Sequence, residues 1–442
     1  MALDRDELNR RRHAREEQRR KRKAAQRRMY LRLGLAGLVL IVCAVGIFTM
    51  SRDPEGPQAE VLSTEVEVYG GQEPEITQPE TEALSSWEKA PEVIHVVAAG
   101  DLNITDSVIW SGQEGGVYDY TAAFMDVAHL FSEADLALLN FEGNVCGSPF
   151  GSETQSAPFE MITALKNAGV DVLQLANSCT ISNGLLGLQS TLSTIRSQGI
   201  EPVGAFANDE EFHRSGGYTI CQVGDVKIAL VAFTKGLGGK GLPAGSENCV
   251  NLLYEDYYTN YQKVDTDAIK RVLKNVESED PDLTIALLHW GSEYNDTISD
   301  SQKSIASLML KNGVDAIIGT HSHMVHQIDY DQETGSLVAY SLGDFFGDAI
   351  QGGTSYSIML DLEITKDYDT GETRITDYNY IPIYTLTENE CDGQRRVVRI
   401  ENAVAAYDLN YVDKVTKACY DNMQFALDRI AKRVAPEPAD SQ

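Results

Sequence analysis

Three of the chain's eight histidines, His321, His323 and His326, fall within six positions, directly behind the apolar run "AIIGT". Other apolar runs end in the same way: "VVAAGD" in Asp101, "LALLNFEG" in Asn140 and Glu142, "VLQLANS" in Asn177, and "IALLHWGSE" in His289 and Glu293. Near-continuous apolar runs of this length read as strands buried on both faces. In an open α/β sheet the carboxyl ends of such strands line one crevice, so these scattered side chains are expected to converge. Imidazole, carboxylate and amide donors together suit Mn, Fe or Zn. Two such ions side by side clamp a phosphoryl group and the water that attacks it, so the residues point to a metal-dependent hydrolase of phosphate esters. A lone histidine is usually a packed structural residue, but a His-x-His pair at a strand end, joined by His289 and Asp101, favours a site. Two apart, His321 and His323 are expected on one side of an extended segment, with His326 pointing elsewhere.

The elements that must position these groups alternate. Strands are predicted at "VIHVVAAG", "ADLALLN", "VDVLQLA", "VKIALVAFT", "LTIALLHW", "VDAIIGT" and "SLVAYSL", with helical patterns such as "LLGLQSTLSTIRSQG", "TDAIKRVLKNVESE" and "SQKSIASLMLKNG" between them. That alternation predicts an α/β sandwich with largely parallel strands. One unit recurs, "LKNAGVDVLQLANS" and "LKNGVDAIIGTHS", reading as helix end, Gly cap and strand. After Gly347 the pattern becomes antiparallel, followed by a helix with Val412, Val415, Cys419, Met423, Ala426 and Ile430 on one face. The glycine-rich stretch "KGLGGKG", residues 235–241, lacks the Gly-Lys-Ser/Thr ending of a phosphate loop and reads as a mobile loop. No Gly-x-Ser-x-Gly elbow supports Ser-His-Asp catalysis.

Charge is unevenly placed. Residues 1–32 hold 13 Lys and Arg against 5 Asp and Glu; the rest of the chain holds 24 against 61, a net of −37. Between the two halves lies "LGLAGLVLIVCAVGIFTM", 18 uncharged residues from Leu33 to Met50. As a helix this spans about 27 Å, close to a bilayer's hydrocarbon core. A single-pass transmembrane helix is expected at 33–50, with a basic cytoplasmic tail at 1–32 under the positive-inside rule and no nucleic acid as partner. Residues 51–91, acidic and rich in Pro, Glu and Thr, read as a disordered linker. Residues 92–435 then form an extracellular domain with a short tail at 436–442.

The strand-end residues also carry a resemblance. "AAGDLNI", "LLNFEG", "LLHWGSEY", "GVDAIIGTHSHMVH" and "VAYSLGDFF", in this order and spacing, resemble the motifs of the CapA family, the poly-γ-glutamate capsule synthesis proteins with a calcineurin-like metallophosphoesterase fold. The similarity runs from Val93 to Phe346. It implies a four-layer α/β/β/α sandwich, an N-terminal membrane anchor, and an anionic capsule polymer and membrane-bound capsule synthesis subunits as partners. It also implies a divalent metal (Mn, Fe or Zn) held by Asp101, Asn177, His289, His321 and His323, with His289 and Glu142 catalytic. Asn103, Asn140, Glu293 and Asp344 would complete the crevice.

The chain departs from the family at "LANSCTISNG", where Leu-Ala-Asn-Asn-His and a later Asp are usual and Ser178, Cys179 and Ser182 stand instead. In the wider superfamily that Asn is a metal ligand and the His a proton donor, so Cys179 occupies a catalytic position with a poorer acid. The resemblance also puts Cys146 and Cys179 at one crevice, where a disulfide between them would staple the mouth; the alternative is free thiols packed as small apolar residues. Two functions stay open: a metal-dependent hydrolase, or a catalytically reduced module that binds a polymer or a partner at the same crevice.

Overall fold

The computed structural model describes residues 89–390, 395–409 and 415–435. The expected tail, membrane span and nearly all of the linker lie outside these residues. Among the described residues, no helix is long and apolar enough to cross a membrane.

Among the described residues sixteen strands run in chain order: β1 (Glu92–Asn103), β2 (Gln113–Glu114), β3 (Val117–Tyr118), β4 (Leu136–Glu142), β5 (Val172–Gln174), β6 (Glu201–Val203), β7 (Thr219–Val223) and β8 (Val226–Thr234). They continue as β9 (Leu283–His289), β10 (Ala316–Thr320), β11 (Ile328–Asp331), β12 (Ser336–Ala339), β13 (Asp344–Phe346), β14 (Tyr356–Lys366), β15 (Thr373–Leu386) and β16 (Arg396–Arg399). One sheet has the order β16-β15-β14-β1-β4-β5-β6, with β13 also paired to β1; a second has the order β11-β12-β10-β9-β8-β7. The seven runs read from sequence as strands are β1, β4, β5, β8, β9, β10 and β12, and the neighbours among them pair in parallel. The late strands β14 and β15 pair antiparallel, as the sequence pattern predicts, and β16, which it does not show, pairs antiparallel with β15.

Alternation along the strands of the second sheet sets the layers. Ile228, Leu230 and Ala232 of β8, with Ile285 and Leu287 of β9, share one core with the first sheet. Ala229, Val231 and Phe233, with Ala286 and Leu288, face a second core made by helices Thr266–Glu279 and Asp300–Lys311. Helices Phe159–Ala168, Gly184–Ser197 and Lys417–Val434 pack into the first core. The result is helices, sheet, sheet, helices. The expected last helix begins at Lys417, where Thr416 caps it by accepting the Cys419 N–H, and Val412 lies outside the described residues. Cys419, Met423, Ala426 and Ile430 are buried, as a core-facing stripe requires.

The parallel strands share a device that the sequence shows as Asp just before an apolar run. Asp135, Asp171, Asp282 and Asp315 each accept a backbone N–H from the neighbouring strand, at His95, Ala137, Lys227 and Thr284. Each contact fixes the register at the strand's start, which in turn fixes what stands at its end. In the two recurrent units, Gly169 (φ 104°) and Gly313 (φ 95°) turn the chain from helix into β5 and β10. Those strands deliver Asn177 and His321 to the same end of the molecule.

Candidate metal centre

Register brings the residues together. Asp101 of β1 stands between Asn140 of β4 and Asp344 of β13, and Asn103 stands opposite Glu142. On the second sheet His289 pairs with Thr320, so His321 lies one step past the sheet. The Asp101 N–H donates to Gly343 O at 3.0 Å. This close approach needs glycine at position 100, where a Cβ would stand 1.8 Å from Gly343 O. Asp101 then joins the two sheets: its Oδ1 accepts from Asn140 Nδ2, and its Oδ2 accepts the His321 N–H at 2.9 Å.

The His-x-His pair is not extended, which corrects the sequence expectation. His321 (φ 88°) and His323 (φ 59°) both take left-handed backbone, a conformation that costs a non-glycine residue about 1–3 kcal/mol and persists where surrounding contacts enforce it. The turns, rather than strand alternation, aim both rings at the cluster. His326 is directed away, bonded through Nε2 to Asn295 O at 2.7 Å.

Two groups of three residues bring their ligand atoms within 4.8 Å of one another: Glu142, His289 and His321, and Asp101, Glu142 and His323. All five residues are buried, Asp101 and His289 completely. His289 Nε2 lies 3.0 Å from Glu142 Oε1 and 3.0 Å from Ser178 Oγ; its Nδ1 lies 3.1 Å from Thr320 Oγ1. His323 Nδ1 bonds Asp344 Oδ1 at 2.7 Å, and Asn103 donates to the same oxygen at 2.9 Å. The His321 ring packs 4.3 Å from that of His289.

The electrostatics follow from the crowding. Burial, with Glu142 next to it, raises Asp101 to about 6. Burial also opposes the charge on Glu142, but the neighbouring His289 and His323 outweigh it and hold the carboxyl below its ordinary value. Burial, followed by repulsion from His289, Lys235 and His323, drives His321 well below the usual imidazole range, so its ring is neutral and its nitrogen lone pair is available. Burial works against the His323 imidazolium too, yet the Asp344 carboxylate at hydrogen-bonding distance pushes it up to about 10. The donors fit a divalent ion: mixed carboxylate and imidazole, converging from two sheets, with backbone strain spent on aiming two of them.

Asp101, Glu142, His289, His321 and His323 form the cluster, and Asn103, Asn140 and Asp344 brace it through the bonds above. Glu142 belongs to both ligand groups, beyond the catalytic part alone that the sequence reading gave it. Asn177 braces the cluster in this arrangement. Its amide donates to Asn140 Oδ1 and Phe141 O, and its oxygen accepts the Cys179 N–H. Glu293 is exposed at the rim.

The expected disulfide is not made: Cys146 and Cys179 are free thiols, lying 3.5 Å from Ser156 Oγ and Gln155 Oε1. Cys249 and Cys419 are buried, as small apolar residues would be, while Cys391 lies outside the described residues. Burial, and then Glu142, raises the Cys179 thiol far above its normal value, so it keeps its proton.

Three neighbours escaped the sequence reading. Thr320 orients His289, Tyr294 stacks its ring 5.0 Å from His323, and Lys235 directly follows β8 with its N–H on His289 O. Lys235 closes the run "VKIALVAFT" just as His289 closes its own, and the strand-end rule applied there would have found it. The loop it opens is anchored by the fully buried Leu237 rather than free.

A family model described as bacterial capsule synthesis protein PGA_cap matches residues 95–349, more than half of the chain, and takes in every residue of the cluster. The chain belongs to this family. Among its relatives, the PGA_cap chain is 26% identical over 271 residues to the PGA biosynthesis protein CapA of Bacillus subtilis, covering 58% of this chain and 66% of that one. It is 29% identical over 202 residues to the capsule biosynthesis protein CapA of Bacillus anthracis, covering 45% of each. The match thus spans less than two thirds of either relative. A novel phosphatase of Mycoplasma pneumoniae aligns over 66% of this chain and 94% of its own, at 17% identity and a TM-score of 0.41. The calcineurin-like phosphoesterase YfkN of Bacillus subtilis aligns over 77% and 98%, at 16% identity and a TM-score of 0.39.

Proposed function

We propose that the chain is a membrane-anchored, outward-facing capsule synthesis protein whose buried cluster binds divalent metal and hydrolyses a phosphate ester. The carrying observation is the pair of overlapping ligand groups with Glu142 common to both, which suits two ions sharing one carboxylate. Divalent ions held there would polarise a phosphoryl oxygen and make an attacking water acidic at neutral pH. The chain's own residues hold this arrangement: Asp101 ties down the His321 backbone, Thr320 orients His289, and Asp344 fixes His323. A protonated, half-buried Cys179 is a poor general acid, and such help is worth about 10²–10⁴ in rate. Esters whose leaving groups depart without a proton are therefore the better substrates.

The 18-residue apolar segment with its basic flank supports the anchor. The capsule role is supported by the names of the relatives; an anionic polymer and membrane-bound synthesis subunits as its partners are part of the proposal. One contact favours a second reading: the Ser178 hydroxyl sits 3.0 Å from His289 Nε2, the nitrogen an ion would need. A catalytically reduced module would use the cluster to bind a ligand without turning it over.

Aryl and alkyl phosphate esters, assayed with Mn²⁺ against the His321→Ala variant as blank, separate the two. Aryl-ester hydrolysis that disappears in the variant supports the hydrolase. Metal uptake with no turnover of either ester supports the binding module.

A further inference from the structure

The glycine-rich loop 235–241 takes no part in the steps above, although it opens beside the cluster. Lys235 donates its backbone N–H to His289 O at 2.8 Å and its Nζ to Gly291 O at 2.6 Å, with Nζ 4.7 Å from the centre of the Tyr261 ring. Lys240 donates its Nζ to Ser182 O at 2.7 Å, on the segment that carries Ser178 and Cys179. Between the two lysines, Gly238 (φ 61°) passes so near that segment that a Cβ would lie 3.1 Å from Ser178 O. The loop therefore bridges from the end of β9 on one sheet to the segment after β5 on the other, and sets one lysine at each end of the bridge.

The chain carries 66 acidic against 37 basic residues, yet among the described residues neither lysine makes an ion pair with a carboxylate. Each is held by a neutral carbonyl, a weaker partner for an ammonium than an anion is. The cluster between them is rich in carboxylates and would repel an anionic ligand unless cations nearby offset it.

We propose that loop 235–241 is an oxyanion clamp, in which Lys235 and Lys240 each take an anionic oxygen group of the ligand that enters the cluster. The ligand class is then a compound with at least two negative charges on phosphate or carboxylate groups. This rests on the metal-centre reading for where the ligand sits, but the recognition of charge is separable from metal uptake and from hydrolysis.

The test uses the full-length chain in detergent, treated with chelator, with inorganic phosphate and with tricarballylate titrated separately by calorimetry. Lys235→Met and Lys240→Met are each expected to weaken binding by about tenfold, the worth of one charge-assisted hydrogen bond. Lys235→Arg should restore most of it. Lys240 is exposed, so Lys240→Glu folds regardless of what happens at Lys235, and should weaken binding further by reversing the charge. Binding of phosphate alone assigns a phosphate ligand, and binding of tricarballylate alone a carboxylate one. Failure of the wild type to bind either, or equal binding by wild type and Lys240→Glu, overturns the clamp. Metal uptake, measured separately on untreated protein, stays normal if only the clamp is wrong and is absent if the metal centre is wrong.

Discussion

Replacing Thr320 with valine removes one oxygen from the wall behind the cluster and leaves the shape nearly unchanged. His289 Nδ1 has Thr320 Oγ1 at 3.1 Å; its other neighbour, Asn140 Nδ2 at 3.5 Å, is itself a donor already committed to Asp101. With an ion on Nε2, the remaining ring hydrogen would sit on Nδ1 and be donated to Thr320 Oγ1. In Thr320→Val that hydrogen is stranded in a residue with no solvent exposure. A buried donor left without its partner costs about 1–3 kcal/mol. Loss of the outer partner of a metal-bound histidine costs about 10–100-fold in affinity, which is about 1.4–2.8 kcal/mol. The two routes agree, so Zn²⁺ affinity, read by competition with a fluorescent chelator, should fall by about 10–100-fold. An affinity within twofold of wild type would refute Thr320 as the group that aims His289, and with it the assignment of Nε2 to the metal.

Metal binding should also strengthen with pH. With His323 held up to about 10 and Asp101 to about 6, an incoming ion must displace protons from both. Affinity should therefore climb by up to about tenfold per unit above pH 6, and more steeply below it; a flat profile from pH 6 to 8 contradicts the His323 assignment. Gly100→Ala would drive a Cβ to 1.8 Å from Gly343 O and break the Asp101–Gly343 bond. A loss of about 3 kcal/mol or more in urea unfolding is expected, and wild-type stability would show that β1 and β13 can separate freely.

The sequence made the strands legible because burial on both faces leaves apolar runs with no polar interruption, as in "IALLHW" and "AIIGT". It made their polar ends legible because a side chain placed past such a run has left the core. What it concealed was direction. His321 and His323 meet the cluster through left-handed turns imposed by Asp101 and Asp344, and nothing local in "THSH" announces a positive φ at a histidine. Asn177 is legible by its position at a strand end, but its bonds to the backbone of its own loop and of β4 are not. Cys146 and Cys179 do approach one segment, Gln155–Ser156, but they bond to different residues of it. Lys235 was masked by composition, since the glycines after it suggested a loose loop, whereas Leu237 pins that loop in the core.

The most direct measurement is the metal content of the purified full-length chain in detergent, by elemental mass spectrometry after mild dialysis, beside the His321→Ala/His323→Ala double variant. Two ions per wild-type chain and a loss of both in the variant are expected if Glu142 is shared between the two ligand groups. Equal metal in both proteins, or none in the wild type, would contradict a metal centre at these residues.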